Sequence, residues 1–234
     1  MGAIDYKLWD EIIAKPDWYV RLADDLMRIR ELPGPNEEKY RVRQYFEDRL
    51  LEGRVALATS GMDLDEQREP IDTIVIHHTS NDKPYSLAKM NAVQLLNVYV
   101  PHYLNPGEGR ESSLKHQPIW SNHFHRGKQV FYAYHWFIHR DGTAERLLAD
   151  KHIGWHAGNW DINCRSVAIC LDDDYTQKDP DVTTLRRLAD LIRGNYPDVK
   201  PSGIVGHREV NARTICPGNS FLGGWKNDLL ELLR

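Results

Sequence analysis

A chain of 234 residues is long enough for one large domain, or for one medium domain with an appendage. Its 41% hydrophobic and 27% charged residues describe an ordinary globular protein, and its net charge of -4 with a pI near 6.3 gives no support for binding to nucleic acid or anionic membranes through bulk electrostatics. No apolar run approaches the ~18 residues that span a bilayer, and the N-terminus lacks a basic stretch followed by an apolar one, so cytoplasmic synthesis without a Sec signal is expected.

Taken in chain order, residues 5–51 read as two or three helices. Leu22, Leu26 and Ile29 recur at helical spacing, as do Val42, Tyr45, Phe46, Arg49 and Leu50. Leu32-Pro-Gly-Pro35 breaks the run, and Asn36 followed by Glu37 and Glu38 suits a new N-cap and first turn. The stretch 59–70, rich in small and acidic residues, reads as a linker. Strands are then expected at 72–77, 131–139, 143–149, 166–171 and 203–206, and helices at 86–99, 182–194 and 221–233. That alternation predicts an α/β fold, a mixed central sheet flanked by helices, with an N-terminal helical extension. The organisation expected is therefore an extension at 1–58, a linker at 59–70 and a catalytic domain at 71–234. The extension either packs on the catalytic domain or forms a separate wall-binding or partner-binding module. The span of near 50 residues between the first two strands is long for a compact domain and is expected to wall a substrate groove.

Three cysteines, Cys164, Cys170 and Cys216, are too few for a disulfide scaffold. If Cys164 and Cys170 share a strand they lie about 20 Å apart, beyond bonding reach, so reduced thiols are expected.

All 11 histidines lie between His77 and His207. The apolar run Ile71-Asp-Thr-Ile-Val-Ile76 ends in His77-His78, and Gly206-His207-Arg208-Glu209-Val210-Asn211-Ala212-Arg213-Thr214-Ile215-Cys216-Pro217-Gly218 puts a histidine and a cysteine on one loop. Two imidazoles and one thiolate form a three-ligand set that leaves the fourth tetrahedral position of a zinc ion open, the pattern of a catalytic rather than a structural site. A thiolate in the set favours zinc over magnesium or calcium. Pro217-Gly218 turns the chain away after the ligand.

The strings IDTIVIHHTS, YHWFIHRDGT, GWHAG and GHREVNARTICPG occur in this order. Together they resemble the zinc-dependent N-acetylmuramoyl-L-alanine amidases of type 2, the family that also holds the peptidoglycan recognition proteins and the lysozyme-named phage amidases. The resemblance covers roughly 70–234. It implies one Zn2+ per chain on His77, His207 and Cys216, and a substrate of peptidoglycan or muropeptides; the sequence leaves the oligomeric state open, with a monomer as the expectation. It implies that Tyr134 stands beside the metal, where a phenol hydrogen-bonds the attacking water or the developing oxyanion. Thr214, two residues before Cys216, is expected either to orient the carbonyl or water, or to serve as a turn residue. His156 and Trp155 are expected to face the muropeptide, though Trp155 and Trp160 also fit simple packing. Asn163 holds either the loop or the substrate peptide, and His78 alternates to the other face, where it lines the groove or packs. Arg208 and Glu209 belong beside the metal ligands or on the surface.

One position departs from the pattern. The cytosolic recycling branch carries a glutamate base where this chain has Cys170, which moves the resemblance toward the phage and recognition-protein branch. The reaction implied is hydrolysis of the bond between N-acetylmuramic acid and L-alanine by an endolysin that leaves the cytoplasm through a holin. The alternatives are a cytosolic muropeptide-recycling amidase and a non-catalytic peptidoglycan-binding receptor. The pairs His123/His125 and His135/His139 read as groove or strand residues rather than as a second metal site.

Overall fold

A computed structural model of the chain describes residues 4–34, 36–105 and 114–234. In chain order its helices and strands are α1 (Tyr6–Ile13), α2 (Trp18–Arg21), α3 (Ala23–Glu31), α4 (Glu37–Leu51), β1 (Thr73–His78), α5 (Leu87–Gln94) and α6 (Val100–Leu104), the last two joined by a π-helical segment at Leu95–Tyr99. There follow β2 (Phe124–His125), β3 (Lys128–Gln129), β4 (Trp136–Ile138), β5 (Ala144–Arg146), α7 (Trp160–Arg165), β6 (Ser166–Leu171), α8 (Val182–Asn195), β7 (Ile204–Gly206), α9 (His207–Val210) and α10 (Trp225–Leu232). No helix among the described residues is long and apolar enough to cross a membrane.

The chain forms two compact units, Met1–Met62 with Ser86–Phe131, and Asp63–Tyr85 with Tyr132–Arg234. In the first, Asp5 and Asn36 cap α1 and α4 through their side-chain oxygens, so the expected N-cap at Asn36 is present. Both helices bury one stripe, and Trp9, Trp18, Tyr45 and Phe46 form a chain of ring contacts between them. Tyr19 extends that core to α6, meeting Tyr103 edge-on at 6.0 Å and donating its hydroxyl proton to the Gln117 carbonyl at 2.6 Å. The N-terminal helices thus share a unit with 86–131, a stretch expected in the catalytic domain. The long span after β1 is not a loop throughout, because Met90, Leu95, Leu96, Tyr99 and Tyr103 recur on one buried helical face.

The second unit is built on a five-stranded sheet in the order β5-β4-β6-β1-β7. β1 pairs in parallel with β6 and β7, β6 pairs in parallel with β4, and β4 meets β5 antiparallel, which makes the sheet mixed as expected. Residues on β1 and β6 are buried on both faces. One face carries Ile74, Ile76, Val167, Ile169 and Leu171 against α8 and α10, where Leu188, Ile192, Trp225 and Leu229 complete the core. Side chains alternate across a strand, so Val75, His77, Ser166, Ala168 and Cys170 occupy the opposite face, and the register sets His77 beside Cys170 and Thr73 beside Ser166.

Several boundaries differ from the sequence expectation. The strand expected at 131–139 is ordered as a ladder only at Trp136–Ile138, and the Phe131 N–H goes to Asn91 Oδ1 at 2.7 Å instead of to a neighbouring strand. Part of the expected linker is structured: Leu64–Gln67 make a 3-10 turn capped by Asp63, and the Glu69 N–H donates to the Cys164 carbonyl at 2.9 Å. Cys164 lies on α7 and Cys170 on β6, so the two do not share a strand, and the three cysteines are unpaired.

Candidate metal centre and active site

The second unit gathers His77, His207 and Cys216 so that one ligand atom from each lies within 4.8 Å of the others. His77 stands near the C-terminal end of the central strand β1, where the pairing with β6 and β7 fixes its backbone. His207 opens α9 directly after β7. Cys216 returns on the following loop, which is tied at several points. The Arg208 N–H donates to the Cys216 carbonyl at 2.8 Å, the Arg208 guanidinium donates to the Gly218 carbonyl at 3.0 Å, and Thr214 Oγ1 accepts from the Cys216 N–H at 3.1 Å. Gly218 is required here: its φ is +136°, and a Cβ would collide with the Tyr175 carbonyl. Glu209 accepts from the Gly206 N–H at 2.7 Å and pairs with Lys226 at 2.7 Å, so Arg208 and Glu209 brace the ligand loop.

The donor atoms are those a zinc ion needs. Tetrahedral Zn–N and Zn–S bonds place a nitrogen and a sulfur about 3.6 Å apart, and His77 Nδ1 lies 3.8 Å from Cys216 Sγ. His207 hydrogen-bonds the Ala157 carbonyl, which leaves its Nε2 buried with no hydrogen-bond partner. An orphaned buried acceptor is costly unless something fills the site. Burial, reinforced by His207 and His156 alongside, holds the His77 imidazole well below its ordinary pKa, and burial also lowers that of His207, so both rings offer lone pairs at neutral pH. Burial around the Cys216 thiol pushes its pKa up to about 12, against a small opposing effect of the His78 N–H that donates to Sγ at 3.4 Å. A divalent cation reverses that balance, because a coordinated thiol is deprotonated.

Tyr134 packs beside this cluster, its ring 5.0 Å from that of His77, and its hydroxyl hydrogen-bonds the Cys170 thiol. Cys170 is fully buried and its pKa is raised well above the ordinary value by burial, so it is a neutral thiol and not a base. His156 lies on the loop between β5 and α7. Its Nδ1 is 3.1 Å from His77 Nε2 and its Nε2 is 3.1 Å from Ser166 Oγ. Asn163 Oδ1 accepts from the backbone N–H groups of His156 and Ala157 at 3.2 and 2.9 Å. Gly154 opens the loop where a Cβ would collide with the Ala133 carbonyl.

The expected site residues therefore separate. His77, His207, Cys216, Tyr134 and His156 converge. His78 turns to the other face, where Nδ1 accepts from the Tyr175 N–H at 3.0 Å and burial lowers its pKa to about 4, so its ring packs and does not line a groove. Trp155 is buried and stacks edge-on against Trp160 at 5.9 Å. Asn163 holds the loop, the first of the two roles left open for it. Thr214 acts as a turn acceptor for the ligand's own N–H. Among the described residues His135 and His139 gather no further ligands: His135 accepts from the Ala168 N–H, and His139 pairs with Glu145 at 3.0 Å.

Sequence reasoning missed Arg68. Its guanidinium donates from Nη1 to the carbonyls of Asn163, Cys164 and Ser166 at 3.0, 3.1 and 2.8 Å, and from Nε to that of Asp150 at 2.8 Å. These bonds strap the corner where α7 becomes β6, which carries both Asn163 and Ser166. Its place in a stretch that reads as linker gave no signal of this.

The N-acetylmuramoyl-L-alanine amidase profile matches residues 67–219, and the chain belongs to this family of hydrolases. No curated protein sequence matches the chain. Among solved structures, N-acetylmuramoyl-L-alanine amidase LysC from Clostridium intestinale URNW is similar at 20% identity and a TM-score of 0.46, over 75% of this chain and 95% of that one. The Ph2119 endolysin from a Thermus scotoductus bacteriophage is similar at 19% identity and 0.45, over 70% and 86%. Wild-type Drosophila PGRP-LB is similar at 22% identity and 0.41, over 70% and 82%.

Proposed function

We propose that this amidase is zinc-dependent, cuts the amide between the lactyl group of N-acetylmuramic acid and L-alanine, and acts on the cell wall as a lytic endolysin. The observation that carries the reading is the cluster of His77, His207 and Cys216, buried at His77 and half-buried at the other two, with His207 Nε2 orphaned and a phenol beside it. A zinc ion bound there supplies Lewis-acid polarisation of the scissile carbonyl and activation of water. Tyr134 donates its hydroxyl to the oxyanion that develops as the amide is attacked, where a preorganised donor in a buried site is most effective. The Thr214 hydroxyl accepts from Cys216 N–H, and its proton is free to orient the carbonyl. The enclosed site lowers the dielectric around these groups and strengthens each contact.

The complete donor set together with Tyr134 favours an enzyme over a binding-only receptor. Cys170 favours the lytic role over recycling, since a buried neutral thiol beside His77 cannot replace a carboxylate base. The test is a metal assay with a digest of purified sacculi read by mass spectrometry. About one zinc per chain and release of free stem peptides are expected, with most of the metal lost in Cys216→Ser and His207→Ala. Stoichiometric metal retained in both variants would place the centre elsewhere, and sacculi left intact by zinc-loaded protein would exclude the lytic reading.

A further inference from the structure

Every hydrogen-bonding atom of the His156 ring is engaged, and the protons in that chain of contacts can be assigned from its far end. The Ile162 carbonyl can only accept, and Ser166 Oγ lies 2.6 Å from it, so the single hydroxyl proton points there. The 3.1 Å contact between Ser166 Oγ and His156 Nε2 then has the imidazole as donor. The partners of both rings are uncharged, so His156 is a neutral imidazole that carries its proton on Nε2 and a lone pair on Nδ1. That lone pair faces His77 Nε2 at 3.1 Å, which must therefore be the protonated nitrogen of His77. The His77 lone pair is left on Nδ1, the atom 3.8 Å from Cys216 Sγ. Reversing any link strands two lone pairs against each other, the worst case at the 2.6 Å Ser166–Ile162 contact.

We infer that Ser166 and His156 are positioning residues for the metal centre: a relay from Ile162 through Ser166 and His156 fixes the tautomer and ring orientation of His77. The assignment rests on the metal-centre reading above. The same short loop serves the other imidazole, because Ala157, next to His156, accepts from His207 through its carbonyl. Asn163 holds both loop residues by their N–H groups, and Asn211 Nδ2 donates to the Ala157 carbonyl at 3.3 Å. One loop thus sets which nitrogen of each histidine faces the ligand cluster. Partners of this kind, which bond the non-ligating nitrogen, typically contribute about 10- to 100-fold to metal affinity. His156 is 6% exposed with both ring nitrogens occupied, so the relay replaces the substrate-facing role expected from the sequence.

The experiment compares wild type, His156→Ala, His156→Asn and Ser166→Ala, each checked for native circular dichroism. Long-range proton–nitrogen NMR of the metal-free protein reads the tautomer of His77, and competition with a chelator reads the zinc dissociation constant. Wild type is expected to show His77 protonated at Nε2. His156→Ala should lose that preference and bind zinc about 10- to 100-fold more weakly. In His156→Asn the side-chain oxygen stands where Nδ1 stood, so the tautomer and most of the affinity should return. Ser166→Ala, which leaves His77 and His156 in place, should shift the tautomer toward a mixture. Wild-type His77 protonated at Nδ1 overturns the relay, as does His156→Asn binding no better than His156→Ala. A wild type that binds no zinc instead overturns the metal-centre reading, and the tautomer spectrum still judges the relay by itself. Should His156→Ala fail to fold, the wild-type spectrum and Ser166→Ala decide the matter.

Discussion

Replacing Arg68 with alanine is expected to unstrap the corner on which the relay stands. The side chain gives four hydrogen bonds to carbonyls, those of Asn163, Cys164, Ser166 and Asp150. The Cys164 carbonyl keeps the Glu69 N–H at 2.9 Å, which leaves three carbonyls that lose this donor. At about 1 kcal/mol for each net hydrogen bond, the loss is about 3 kcal/mol. An opposing effect comes from the guanidinium itself, whose pKa is lowered by burial, so its removal relieves some desolvation; Asp150 and Asp65 nearby limit that relief. For a protein of this size 3 kcal/mol corresponds to a fall in Tm of about 6–12 °C. Arg68→Lys should recover less than half of it, because one ammonium cannot reproduce a planar fork that reaches four carbonyls. Thermal unfolding followed by circular dichroism provides the measurement, and zinc competition well below Tm provides a second. If the corner is what orients Asn163 and Ser166, zinc affinity falls even while the variant is fully folded. A midpoint within about 2 °C of wild type, equivalent to about 0.5–1 kcal/mol, would refute the strap.

Tyr134→Phe should keep fold and zinc content while turnover on muropeptide falls by about 10²-fold, the usual scale for one oxyanion donor; wild-type turnover would reduce Tyr134 to a packing residue. In the first unit, the Asp10 carboxyl is held below its ordinary pKa chiefly by its hydrogen bond from Arg49 at 2.7 Å. Its stabilising contribution is therefore present above the unfolded value near pH 4 and is lost as pH falls through the lower folded value. Asp10→Asn should cost about 1 kcal/mol at pH 7 and flatten the acid limb of the stability curve, and an unchanged acid limb would contradict this. Deleting residues 1–58 should lower solubility and Tm by baring the partners of Tyr19 and α4, Tyr103 among them. A stable, fully active truncated chain that has lost only sacculus binding would make the helices a separate wall-binding module.

The parts of the fold that were legible are those where a local pattern has one solution. The run Thr73 to Ile76 is apolar and β-branched without polar alternation, and it becomes the central strand buried on both faces. Asn36 before two glutamates caps α4. The strand expected at 131–139 shrank because apolar periodicity states what is buried, not what it pairs with: Phe131 and Tyr132 are buried outside any ladder. The division into units was hidden for a related reason. Tyr19 of α2 finds its partners in Tyr103 of α6 and at Gln117, about 80 to 100 positions away, and α4 packs on α5; no local signal carries a pairing of that range.

At the site, His77, His207 and Cys216 were singled out by residue type together with the family resemblance of the strings around them, because few side chains bind a soft cation, and the fold brings one ligand atom of each within 4.8 Å of the others. The roles of the residues around them depend on direction, which is a property of register. His77 and His78 are neighbours in sequence, yet the period of two along β1 sends one into the cluster and the other against Tyr175. In the sequence Ser166 is only the first residue of the strand expected at 166–171. It matters because the parallel pairing of β1 with β6 brings it, with Cys170, onto the face that holds His77, while the turn out of α7 aims its hydroxyl at Ile162. His156 looked like a group for the substrate because the family resemblance implies a muropeptide-facing histidine at that place. Here both of its nitrogens are already used, and the hydroxyl that decides their protonation sits ten residues downstream on another element. The chemistry of a metal ligand is thus written in the ligand itself, whereas the choice of which nitrogen it presents is made by the strand alongside.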